Sequence, residues 1–92
     1  MGDETTEGEY EIINALGLHA RPAAQLVQAA NRQRSEVTFC KDGTTVNAKS
    51  IMGVLTLAAS RGSQITVACE GDDAEAALAV IGKLFEAGFG EK

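Results

Sequence analysis

The spacing of apolar residues switches repeatedly between two and about 3.6 residues along the chain, and this switching most limits its fold. "EYEIINA" (9–15) is β-branched and partly alternating, and is expected to be a strand. Ala23, Leu26, Val27 and Ala30 then fall at i, i+3, i+4 and i+7, which predicts a helix from about Ala20. "EVTFC" (36–40) and "TTVNA" (44–48) alternate on either side of "KDG", a strong hairpin signal. "KSIMGVLTLAAS" (49–60) reads as a short helix with Ser50 at its N-cap. "QITVACE" (64–70) is a further strand. The last helix has Asp72 or Asp73 as cap, Gly88 as stop, and an apolar stripe of Ala74, Ala77, Leu78, Ile81, Leu84 and Phe85. The order β-α-β-β-α-β-α with one-sided stripes predicts an antiparallel sheet carrying all its helices on one face.

At 92 residues the chain makes one domain. The expected division is an acidic, disordered tail over 1–8 and a single domain over 9–92. Asp3, Glu4, Glu7, Glu9 and Glu11 lie in the first eleven residues, and the remaining eight acids match the eight bases. With no basic stripe, nucleic acid is not an expected partner. No run approaches the roughly 20 apolar residues of a membrane span, and the N-terminus lacks a secretory signal. Gly2 and Thr6 fit a myristoylation pattern, but no basic residue follows to reinforce a single acyl chain. Cys40 and Cys69 lack metal-type spacing and are expected to be reduced residues inside strands of a cytoplasmic protein.

The stretch "GLHARPAAQLVQ" (17–28) carries the chemistry. His19 is the one histidine and Pro22 the one proline. Pro22 fits only the first turn of the helix, so His19 is placed at or just before its N-terminus. A helix N-terminus offers unpaired N–H groups and partial positive charge to an anion. Arg21 adds a permanent cation suited to phosphate. His19 adds a nucleophilic ring nitrogen. The set could accept a phosphoryl group on the imidazole, with no metal or cofactor. The plainer reading is a loop histidine beside a helix cap. General acid–base catalysis and metal binding are disfavoured, because the nearby sequence supplies no acid, serine or thiol partner, only the amide Asn14.

In the middle helix Val54, Leu57 and Ala58 form one apolar arc, and Ile51, Met52 and Leu55 another, rotated away. The second arc is either an exposed docking patch beside Ser50 or is covered by loops.

"GLHARPAAQLVQ" followed by "NAKSIMGVLTLAA" resembles the HPr family, the histidine-containing phosphocarriers of the phosphoenolpyruvate-dependent phosphotransferase system. The likeness runs from about Glu9 to Phe89. It implies an open-faced β-sandwich with four antiparallel strands and three helices on one face. It implies that His19 takes phosphate on Nδ1 from phospho-enzyme I and gives it to enzyme IIA domains. Arg21 matches the family's active-site arginine and Pro22 its helix-starting proline, while Ala20 and Ala23 would offer N–H groups. Ser50 matches the serine modified by HPr kinase/phosphorylase, and Ile51, Met52 and Leu55, with Lys49, match the docking patch. The resemblance implies a phosphohistidine relay intermediate, not a stand-alone enzyme, and a monomer is expected.

Gln28 and Asn31 stand where some members carry lysines, with Arg32 and Arg34 further on, so electrostatic steering toward acidic partners would be weaker. The ending "LFEAGFGEK" resembles the nitrogen-related, regulatory branch, whereas "KSIMG" favours the carbohydrate branch. Two other classes compete. An acylphosphatase-like enzyme would need a Gly-rich Arg loop, which is absent from the sequence. A regulator with only its serine modified would have no use for the His19–Arg21 pair.

Overall fold

The computed structural model describes residues 5–91. The elements are β1 (Thr5–Glu11), α1 (Ala20–Asn31), β2 (Glu36–Lys41), β3 (Thr44–Asn47), α2 (Ile51–Thr56), β4 (Gln64–Glu70) and α3 (Ala74–Glu86), followed by a short turn of 3-10 helix over Gly88–Gly90. The strands form one sheet in the order β1-β4-β2-β3, and every neighbouring pair is antiparallel. The expected open-faced sandwich is the observed one.

Alternation explains the layering. In β4, Ile65, Val67 and Cys69 are buried while Gln64 and Glu70 are exposed. The same period in β2 buries Val37 and Phe39. Leu26 and Ala30 of α1, and Ile81 and Phe85 of α3, complete the core. Phe85 is its aromatic centre. Its ring stacks on Tyr10 at 5.5 Å between centroids and meets Phe39 edge-on at 5.8 Å. Gly82 makes the first contact feasible, since a Cβ there would stand 2.5 Å from the Tyr10 hydroxyl.

The first strand differs from its expected span. It starts at Thr5, not Glu9, and ends at Glu11, not Ala15. Thr5–Gly8 therefore belong to the sheet and not to a disordered tail, while residues 1–4 lie outside the described residues. Thr5 pairs with Glu70 and Gly8 with Val67. An edge strand with one face in water needs no apolar run, so this acidic segment lacks the apolar alternation of an inner strand. Ile12 then leaves the ladder, although its N–H still donates to the Ser63 carbonyl at 2.9 Å.

Two helix ends also differ. α2 stops at Thr56, and Ala58 adopts a left-handed φ of 48° and is exposed, so Ala58 is not part of the buried arc. Asp73 occupies the N-cap position of α3 but makes no capping bond. Its carboxylate accepts from the N–H groups of Arg34 and Ser35, both at 2.9 Å, and from the Ser35 hydroxyl. These bonds, the Ser35 hydroxyl foremost, hold its pKa down at about 2. The α1–β2 connection is thereby tied to the start of α3.

Candidate functional site

The chain reaches His19 through a turn that it could not make without glycine. Gly17 has φ 67°. A Cβ on it would collide with the Ala59 carbonyl oxygen and lie 2.9 Å from Ser60 Cα. That close approach lets the Leu18 N–H donate to the Ala59 carbonyl at 2.9 Å, and Leu18 is buried. Asn14 closes the turn from beneath. It is 1% exposed, and its Nδ2 donates to the Gly17 carbonyl at 2.8 Å.

His19 is the N-cap residue of α1, with φ −76° and ψ −171°, and its side chain makes no capping bond. The imidazole is therefore free of the helix and available to other groups. Its carbonyl accepts the Ala23 N–H at 3.1 Å. That N–H is thus already engaged, which corrects its expected role as a phosphate donor. The first-turn donors left are those of Ala20 and Arg21, since Pro22 has none. Pro22 is buried at the helix start, whereas Arg21 is exposed. No acid pairs with Arg21 among the described residues.

The structure supplies the acid that the local sequence lacks. Glu91, 72 residues away, places both carboxylate oxygens 2.9 Å from His19 Nε2. Asn14 Nδ2 donates to the same carboxylate at 3.0 Å. An ionised carboxylate only accepts, so Nε2 carries the proton in this contact. The His19 hydrogen bond, then the Asn14 hydrogen bond and the Arg21 charge, hold the Glu91 carboxyl below the usual range. Nδ1 has no hydrogen-bond partner among the described residues. A left-handed turn delivers Glu91: Gly88, Phe89 and Gly90 have φ of 59°, 59° and 75°. Phe89 is buried against Phe85 at 5.3 Å between centroids, and its carbonyl accepts from Gln25 Nε2 at 3.3 Å. The signal in the sequence was "GFGE", glycines bracketing an aromatic before an acid.

The second set lies on α2. Ser50 is its N-cap, and its Oγ accepts the Gly53 N–H at 3.1 Å. Ile51, Met52 and Leu55 are exposed, at 43%, 72% and 37%, so loops do not cover that arc. Lys49 is turned inward. Its Nζ donates to the Gln33 carbonyl at 3.0 Å, bracing the end of α1. Asn31 Nδ2 reaches the Lys49 carbonyl at 3.2 Å. Leu16, on the loop before His19, is 73% exposed and was not anticipated as part of an apolar surface. Cys40 and Cys69 are free thiols in strands, the latter buried.

A family model described as "PTS HPr component phosphorylation site" matches residues 6–87. The chain belongs to the HPr family of phosphocarrier proteins. The phosphocarrier protein HPr of Treponema pallidum is 48% identical over 81 residues, covering 88% of this chain and 92% of that protein. The HPr-like protein Crh of Bacillus subtilis is 55% identical over 70 residues, 76% of this chain and 82% of that one. The crystal structure of HPr-C-His from Thermoanaerobacter tengcongensis superposes with a TM-score of 0.91 at 46% identity, covering 95% of this chain and 98% of that one. HPr proteins are phosphocarriers and not stand-alone enzymes, which agrees with the relay role expected above. No helix among the described residues is long and apolar enough to cross a membrane.

Proposed function

We propose that this chain accepts a phosphoryl group on His19 Nδ1 from phospho-enzyme I and passes it to enzyme IIA domains in the cytoplasm. The observation that carries the reading is the asymmetry of the imidazole. Nε2 is held by Glu91, while Nδ1 stays unbonded at the N-terminus of α1. A phosphoryl group on Nδ1 would meet the Ala20 and Arg21 N–H groups, the helix dipole and the Arg21 guanidinium. Ile51, Met52 and Leu55 form the docking patch.

Ser50 is the regulatory site in this reading, a substrate for HPr kinase/phosphorylase. A phosphate there suits the start of α2, so the fold survives. It also adds about two negative charges beside an apolar patch and opposes docking. The test uses enzyme I and radiolabelled phosphoenolpyruvate on the wild type and on His19→Ala. Acid-labile label on the wild type alone is the expected result. Equal labelling of both would move the acceptor elsewhere, and no label on either would remove the carrier reading.

A further inference from the structure

We infer that Glu91 is a positioning residue for phosphoryl transfer, holding the proton on His19 Nε2 and facing the charge that forms on the ring. This rests on the phosphocarrier reading and adds a residue to it.

The geometry is built rather than incidental. Glu91 is fixed from three sides. Its carboxylate is only 13% exposed and engages Nε2 through both oxygens. Asn14 holds one of those oxygens, and Asn14 is itself buried and locked onto the Gly17 carbonyl. The backbone before Glu91 is anchored by the Phe89 ring in the core and by the Glu91 N–H, which donates to the Gly88 carbonyl at 2.9 Å. Phe89 accepts a left-handed φ of 59° to make this turn. A non-glycine residue holds that conformation only when its surroundings impose it.

A neutral imidazole has one N–H and one lone pair, and the nitrogen that is not protonated is the nucleophile. With Nε2–H donating to Glu91, the lone pair is on Nδ1, on a side chain that occupies the N-cap position of α1 and makes no capping bond. The transfer step then needs no proton movement. The Nδ1 lone pair attacks phosphorus, and the Nδ1–P bond forms as the bond from phosphorus to the donor atom breaks. That bond's electron pair returns to the donor. Nε2 keeps its proton, so the ring becomes cationic, and the Glu91 carboxylate lies against that charge. Onward transfer reverses each change. Glu91 is therefore not a base in this scheme; it acts through His19. The charged groups bearing on the pair are Glu91 itself and Arg21 on the first turn of α1, with Asn14 as the neutral partner. Arg21 serves the phosphoryl side and Glu91 the ring side, so the zwitterionic product is matched at both ends.

Glu91→Gln keeps the shape and removes the charge, and Glu91→Ala removes both. Three readouts are compared with the wild type: nitrogen NMR of the neutral His19 ring, labelling rate with enzyme I and phosphoenolpyruvate, and the pH profile of hydrolysis of the isolated phosphoprotein. Glu91→Ala should admit the Nδ1–H tautomer and slow labelling about fivefold, a charged hydrogen bond discounted for solvent screening. Glu91→Gln should move the hydrolysis profile to lower pH by about half a unit or more, because the protonated phospho-ring loses its counter-charge. A residue that only braced the C-terminus would lower thermal stability and leave that profile in place. Wild-type tautomer, rate and profile in both variants, with His19→Ala inactive, would overturn the role of Glu91 and leave the carrier reading standing. No label on the wild type would overturn the carrier reading, and this one with it.

Discussion

Gly17→Ala, set against Gly43→Ala, isolates the contact that seats His19. Both glycines have left-handed backbones, with φ of 67° and 84°. Around Gly43 a new Cβ meets nothing within 4 Å. Its substitution carries only the left-handed cost of an L-residue, about 1 kcal/mol. At Gly17 the Cβ would run into the Ala59 carbonyl and Ser60 Cα. The same conformational cost then adds to a steric cost of about 1–3 kcal/mol. Loosening the Leu18 N–H to Ala59 carbonyl bond adds about 1 kcal/mol more. The Gly17 variant should therefore lie about 2–4 kcal/mol below the Gly43 variant. At about 4–8 °C per kcal/mol for a domain this small, the two melting temperatures should differ by roughly 10 °C or more. Urea denaturation with constant m-value checks the same difference. Labelling by enzyme I below the melting range should fall for Gly17→Ala and not for Gly43→Ala. Equal stability losses at the two positions would refute the argument that Gly17 is required by close approach to the α2–β4 loop.

The remaining expectations concern the latch, the patch and the aromatic centre. Asp73→Asn should destabilise the protein at neutral pH through its lost bonds to Ser35 and Arg34. Because the folded carboxyl is depressed to about 2 from 3.8, its contribution is fully present above the unfolded value. It is lost as pH falls through the folded one, so the gap in urea midpoint should be constant above about pH 5 and close toward pH 2. Ser50→Asp should keep the melting temperature within a few degrees yet slow phosphoryl acceptance about tenfold, since its charge opposes docking of an apolar patch. Steady-state labelling with varied carrier concentration should show this as a higher half-saturation value. Met52→Ala, at 72% exposure, should leave stability within about 0.5 kcal/mol while raising that same value. Phe85→Ala should cost about 3–5 kcal/mol in urea denaturation and also release Phe89, so the NMR signature of the Glu91 contact should weaken with it.

The period changes in the sequence located α1, β2, β3, α2, β4 and α3, because amphipathic elements on one sheet must show their buried face in their spacing. Pro22 located the start of α1 and thereby His19, since a proline without an N–H fits only a first turn. What the spacing lacked was anything about pairs distant in sequence. β1 was read too late in the chain because its acids face water on an edge strand, a role assigned by pairing with β4. Asp72 or Asp73 was expected to cap the last helix, but the turn at Arg34–Ser35 offers Asp73 three donors and outcompetes the helix. Lys49 was placed in the docking patch, yet the end of α1 takes its ammonium.

The sequence by itself determined the architecture and the His19–Arg21 half of the candidate site. Local periodicity, one proline and the His19–Arg21 pair are all short-range information. The other half was decided by tertiary structure alone. Glu91 is 72 residues from His19, and only the packing of Phe89 on Phe85, with a left-handed turn between two glycines, brings its carboxylate to Nε2. Which imidazole nitrogen is left free is a property of that contact, and no local pattern around His19 encodes it.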